Sequence, residues 1–100
     1  MKVQVTNWLP FVPVGAHTQN GSLSSVVSIT VPGDATQWLA QAQTQNVRFT
    51  LDGTTATTTL GFQIKAGEAP MVVPVVGGQV IKVIEETATA VLDYQFGCDE

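Results

Sequence analysis

The sequence predicts an all-β fold, a single-domain antiparallel β-sandwich of jelly-roll or immunoglobulin-like topology with about seven or eight strands. Three observations carry this. Apolar and polar residues alternate with period two over most of the chain. Turn-forming residues recur at spacings of about ten residues. A chain of 100 residues has room for one domain, assigned here to residues 1–100.

The elements follow in order. Residues 2–6 alternate and read as a first strand. Pro10 and Pro13 bracket Phe11 and Val12, and proline removes ladder donors, so residues 9–14 read as an extended arm or an edge segment and not a central strand. Residues 1–21 thus form a strand plus arm, and residues 22–97 the sandwich core. From 23 to 31 the odd positions are Leu23, Ser25, Val27, Ile29 and Val31, a half-buried strand. Residues 35–44 contain good helix formers behind Asp34, a candidate N-cap, but Trp38, Ala40 and Ala42 also alternate with Gln37, Gln41 and Gln43. A strand forming a hairpin with the one from Val47 is the preferred reading and a helix the alternative. Val47, Phe49 and Leu51 point inward, as do Leu60, Phe62 and Ile64. Residues 71–75 and 80–84 are short apolar runs, and Ala90, Leu92, Tyr94 and Phe96 give the last inward set. Between these lie Asn20-Gly21, Pro32-Gly33-Asp34, Asp52-Gly53, Ala66-Gly67-Glu68 and Gly77-Gly78, the last read as a hairpin turn.

Composition narrows the function. Charged residues make up 12% of the chain, against roughly 25% in a typical soluble domain. The polar surface must therefore come from Thr, Ser, Gln and Asn, which cost less to dehydrate than ions. Such a surface suits contact with another protein. Net charge is −4, and the four cations Lys2, Arg48, Lys65 and Lys82 are scattered, which argues against direct nucleic-acid binding. No apolar run approaches the roughly 20 residues of a membrane span, and the start lacks the apolar stretch of a signal peptide, so synthesis in a cytoplasm is expected.

Catalytic chemistry finds little footing. His17 is the single histidine and reads as a loop residue; Cys98 is the single cysteine and has no basic neighbour in sequence. Neither a metal cluster nor a cofactor loop is expected. Glu85 and Glu86 are adjacent and face opposite sides of a strand, so they cannot share a proton, and they, like Asp34 and Asp52, read as solvated turn carboxylates. The Asn20-Gly21-Ser22 sequon is discounted without a secretory signal. The chain is expected to act by binding or assembly and not as an enzyme. Phe49, Phe62, Tyr94 and Phe96 are expected in the core, leaving Trp8, Phe11 and Trp38 as the aromatic residues free for contacts.

The stretch Val47-Arg48-Phe49-Thr50-Leu51-Asp52-Gly53-Thr54-Thr55, continuing to Leu60-Gly61-Phe62, resembles a strand–turn–strand signature of small β-sandwich structural proteins of tailed-bacteriophage virions. The likeness spans about residues 38–96, with Leu39-Ala40-Gln41-Ala42 similar to the preceding strand and Ile81-Lys82-Val83-Ile84-Glu85 and Ala90-Val91-Leu92-Asp93-Tyr94 similar to the last two. Ala56 stands where that family often has proline. The Asp-Gly-Thr core also resembles a turn in immunoglobulin-like appendages of chitobiase-type enzymes. The motif reads as a fold signature in which Arg48 lies over the turn carboxylate of Asp52 beside Gly53.

The resemblance implies a virion structural protein. Its concrete form is a decoration or cement protein on the capsid surface that bridges subunits of the major capsid protein or other virion subunits, as a homotrimer. Trp8, Leu9, Pro10, Phe11, Val12 and Pro13 are the candidate partner contacts. A head–tail adaptor or minor tail protein, and a carbohydrate-binding accessory module, are the alternatives.

Overall fold

The structure, a computed structural model, describes residues 11–98. The expected strand at residues 2–6 and the candidate contacts Trp8, Leu9 and Pro10 lie outside them. Among the described residues there are eight strands: β1 (Val12–Asn20), β2 (Val27–Thr30), β3 (Gln37–Gln43), β4 (Val47–Thr50), β5 (Phe62–Ile64), β6 (Met71–Pro74), β7 (Val80–Glu85) and β8 (Val91–Cys98). They form two four-stranded sheets, ordered β1-β8-β3-β6 and β2-β7-β4-β5.

That order resolves the topology left open by the sequence. β1 pairs with β8, β2 with β7, β3 with β6 and β4 with β5, all antiparallel, so the chain is one long nested hairpin. Rolling that ribbon brings β8 against β3 and β7 against β4, which closes each sheet. This is the eight-stranded jelly roll.

The core forms where the alternating faces meet. Trp38, Leu23, Ile81, Leu92, Val31, Val47 and Val83 are the largest fully buried side chains. Within residues 35–44 the preferred strand reading holds, as β3 (Gln37–Gln43), with Trp38, Ala40 and Ala42 buried on the inner face. Trp38 therefore does not remain free for contacts. Its ring packs edge-on against Phe49 at 5.4 Å and tilts against Tyr94 at 6.0 Å. Its Nε1 finds no acceptor.

Three further expectations are corrected. The segment 43–47 is not a hairpin, because β3 and β4 belong to different sheets and the chain arches between them. Gly77-Gly78 is likewise an arch, from β6 to β7. His17 is not a loop residue: β1 runs from Val12 to Asn20 as the edge strand of its sheet, with a register irregularity between Val14 and Thr18. The Pro-bracketed segment is accordingly an edge strand from Val12 onward, and Pro13 is tolerated there because an edge leaves one side of the ladder unpaired. The half-buried strand expected over residues 23–31 contracts to β2, while Leu23 is buried in the connection before it.

Candidate functional site

The least satisfied part of the surface is the side of the sandwich where the edge strands β5 and β6 stand, linked by residues 65–70. Five of the exposed large apolar side chains belong to this region: Leu60, Phe62, Met71, Val72 and Val76.

The β4–β5 connection builds one half. Asp52 Oδ1 accepts the Thr54 amide at 3.0 Å, and Gly53 takes φ 85°, so Asp-Gly turns the chain out of β4. Hydrogen bonds from Thr54 hold the Asp52 carboxyl below its ordinary value. Thr50 Oγ1 donates to the Thr54 carbonyl at 2.5 Å, and Thr57 Oγ1 accepts the Leu60 amide at 2.9 Å. Buried Ala56 anchors the loop. Gly61, at φ 128°, then crosses the Phe49 backbone so closely that a Cβ would sit 2.9 Å from the Phe49 carbonyl oxygen.

This path delivers Phe62 opposite Phe49. Phe62 shares the inward parity of Ile64, but no strand of the other sheet covers it, and it is 65% exposed. The expectation that Phe62 and Leu60 lie in the core is thus overturned: both are exposed and line one groove. Phe96, Tyr94, Trp38, Phe49 and Phe62 form a chain of ring contacts at 5.8, 6.0, 5.4 and 5.6 Å, so Phe62 is the exposed end of an aromatic ladder rooted in the core. Beside it a groove of about 520 Å³ is lined by Leu51, Leu60 and Phe62, with Thr50, Asp52 and Thr54 supplying polar groups.

β6 builds the other half. Val75 N–H donates to Thr36 O, and the antiparallel alternation from that bond turns the backbone groups of Val73 and Met71 toward β3. Those of residues 70, 72 and 74 then face the open edge, and two of these are Pro70 and Pro74. Only Val72 offers an outward N–H, so strand addition is blunted while Val72 keeps its side chain 55% exposed. A second groove, of about 320 Å³, lies between Ile64, Lys65, Glu68 and Met71.

The signature residue Arg48 acts elsewhere than expected. Its Nε donates to Glu86 Oε2 at 2.5 Å and a terminal nitrogen donates to the Gly61 carbonyl at 3.0 Å; the Asp52 carboxylate is not its partner. Glu86 also accepts Gln63 Nε2 at 2.7 Å and Asn46 Nδ2 at 3.5 Å. Glu86, Arg48 and Gln63 thus pin β5, β4 and the end of β7 together behind Phe62. The Gln63 amide, with Arg48 and Asn46, holds the Glu86 carboxyl below its ordinary value against the cost of burial. Glu86 is therefore a structural partner in place of a merely solvated carboxylate, and 38 residues of separation hide it from local pattern reading.

The remaining sequence candidates are spread apart. The Phe11 ring lies over Gly97, where a Cβ would sit 2.6 Å from it, while Val12 and Pro13 are exposed on the β1 edge. His17 Nε2 lies 3.1 Å from Asp93 Oδ1, and the recess beside them is lined by Leu39, Gln41, Pro70 and Gln95, with no hydroxyl or thiol nucleophile except the Tyr94 phenol. Cys98 is a free thiol at the end of β8. Among the described residues no group of three or more His, Cys, Asp or Glu could hold a metal ion, and no helix is long and apolar enough to cross a membrane.

No protein-family model matches the chain, and neither the curated proteins nor the solved structures contain a match to it.

Proposed function

We propose that the protein is a structural component of a tailed-phage virion, a decoration protein that cements the capsid by docking its β5–β6 side across joints between capsid subunits. The observation that carries the reading is Phe62, a large aromatic side chain 65% exposed yet packed against the ring of Phe49 at 5.6 Å. A preorganised aromatic anchor loses little entropy on docking, and such residues dominate binding energy at interfaces. Leu60, Val72 and Val76 extend the apolar area, and the hydroxyl-rich loop at 54–59 gives a rim that is cheap to dehydrate. Pro70 and Pro74 favour docking through side chains over uncontrolled strand pairing.

Mechanically, a stable contact buries about 800 Å² per partner, roughly a seventh of the 5565 Å² surface. Spread over a joint between two shell subunits, that burial resists their separation under internal pressure. The low charge makes the contact insensitive to salt. A homotrimer bound at threefold positions is the concrete form, with major capsid protein as the partner and the outer capsid surface as the location.

Cosedimentation with shells assembled without the protein tests the reading. Saturable binding, with a higher disruption temperature of the shell, supports it; protein left in the supernatant removes it. A sugar-binding role has one observation in its favour, the groove in which Phe62 stands beside Asp52 and Thr54. A glycan-array screen with hits lost in Phe62→Ala would favour that reading instead.

A further inference from the structure

The strands β1, β6, β2 and β5 stand at sheet edges, and all but β2 are guarded against pairing with another chain. β1 carries Pro13 and the register irregularity between Val14 and Thr18. β6 is flanked and ended by Pro70 and Pro74, and β5 extends only over Phe62–Ile64. β2 has no such device: from residue 21 to residue 31 the chain holds neither proline nor a charged side chain. Val31 N–H donates to Gln79 O at 2.8 Å, so strand alternation turns the backbone groups of Val31, Ile29 and Val27 toward β7. Those of Ser28 and Thr30 face away, each offering an N–H and a C=O on a side where no described strand lies. Their hydroxyl side chains are exposed, while Val27 is half-buried and Ile29 buried.

The chain itself carries a segment of matching pattern. In Lys2-Val3-Gln4-Val5-Thr6, outside the described residues, Val3 and Val5 alternate with Gln4 and Thr6 as Val27 and Ile29 alternate with Ser28 and Thr30. Phe11 lies over Gly97, whose carbonyl accepts the Thr36 N–H at 2.8 Å. The chain before Phe11 thus joins the sandwich at the end where β2 runs out into the 31–36 arch. Laid back along its own β2, residues 2–6 would run parallel to it. On the β2 of a neighbouring copy they can run antiparallel, the pairing that is more stable per residue. Residues 7–10 supply a reach of about 14 Å, nearly three strand spacings, which is enough to cross to a copy packed alongside.

We propose that residues 2–6 of one copy add as an antiparallel strand to β2 of the next, closing a ring of three. Gln4 and Thr6 exchange main-chain hydrogen bonds with Thr30 and Ser28 of the neighbour, and Val5 lies opposite its Ile29. Each copy gives one arm and accepts one, a heterologous contact that forms a ring where the rotation closes. Pairing β2 with β2 of a second copy would be isologous and would stop at two. The inference rests on the trimeric form of the virion reading and supplies the contact that form needs. β2 and β5 are opposite edges of one sheet, so Phe62 stays free for the shell.

The test is the solution mass of the full chain by light scattering after gel filtration, for wild type, two variants and their mixture. Val3→Asp with Val5→Asp spoils the arm and leaves β2 intact. Ser28→Pro removes an outward N–H and leaves the arm intact, at an edge position where proline is tolerated. Wild type gives three copies, and each variant alone falls to one. An equimolar mixture of the two gives pairs, because one intact arm meets one intact edge and the contacts end there. A monomeric wild type, a trimer retained by either variant, or a mixture that stays monomeric would each overturn the proposal. Self-association kept by the arm variant and lost in Ser28→Pro would overturn it in favour of the isologous pairing. Circular dichroism shows whether the sheets survive, and the arm variant keeps the claim falsifiable should Ser28→Pro fail to fold. Cosedimentation with shells separates the two readings: a monomer that still pellets removes the arm exchange and leaves shell decoration standing.

Discussion

Gly77 and Gly33 touch where two arches cross at one end of the sandwich: a Cβ on Gly77 would sit 2.5 Å from the Gly33 carbonyl oxygen. The β6–β7 connection is pressed onto the β2–β3 connection there by Gly78 N–H donating to Val31 O at 2.9 Å and Val31 N–H to Gln79 O at 2.8 Å. The obstructing atoms are backbone, so they cannot swing aside. Gly77→Ala should cost about 1–3 kcal/mol by urea denaturation, the range for overpacking. Gly33→Ala meets nothing within 4 Å and should stay within about 0.5 kcal/mol of wild type. Equal effects of the two would show that the arches do not cross as described.

Thr44 and Thr89 both hold left-handed backbone, at φ 67° and 75°, which is costly for β-branched residues. Only one of them compensates. Thr44 Oγ1 lies 2.6 Å from the Thr89 carbonyl oxygen and 2.5 Å from that of Gln43, its single hydrogen serving one or the other, and so ties the β3–β4 and β7–β8 connections together. Thr89→Asn should therefore raise stability by about 0.5–1 kcal/mol, while Thr44→Asn gains nothing because it forfeits this tie. Thermal melts of the two variants check the difference in sign.

The Arg48–Glu86 pair gives a pH signature. The folded state holds the Glu86 carboxyl below its ordinary value of 4.5, so its contribution is fully present above that value and is lost as pH falls through the lowered one. Glu86→Gln should therefore weaken the chain at neutral pH and flatten the acid limb of its stability curve below 4.5. A double-mutant cycle with Arg48→Met should give a coupling of at most about 1 kcal/mol, since both side chains remain partly exposed. An acid limb unchanged in the glutamine variant would contradict the pinning role.

Much of the fold was legible because strand parity is a local property. Alternation placed Val47, Phe49, Ile64, Leu92 and Phe96 on inner faces, and all are buried. Parity does not say what lies across from a face. Phe62 has the same parity as Ile64 but sits on an edge strand that the opposite sheet fails to cover, so it is exposed. The same limit explains the arches at 43–47 and 77–78: a short turn between two alternating runs looks alike whether it joins neighbours in one sheet or leaps to the other. The jelly-roll order rests on pairings such as Val12 with Cys98, which only the assembled sheets reveal. Arg48 was expected over the Asp52 carboxylate, yet its partners are Glu86 and the Gly61 carbonyl, a tertiary choice.

The assembly reading also fixes a solution mass. Light scattering after gel filtration should give three copies of the 10.6 kDa chain, with the mass independent of salt. A monomer would remove the trimeric form of the proposal.

The central claim is that the β5–β6 side, anchored by Phe62, is what docks onto the shell. Cosedimentation of wild type and Phe62→Asp with shells assembled without the protein measures it directly, with circular dichroism showing that the variant keeps its sheets. The account predicts saturable pelleting of wild type and loss of pelleting in a folded Phe62→Asp. Undiminished pelleting of the variant, or wild type remaining in the supernatant, would contradict it.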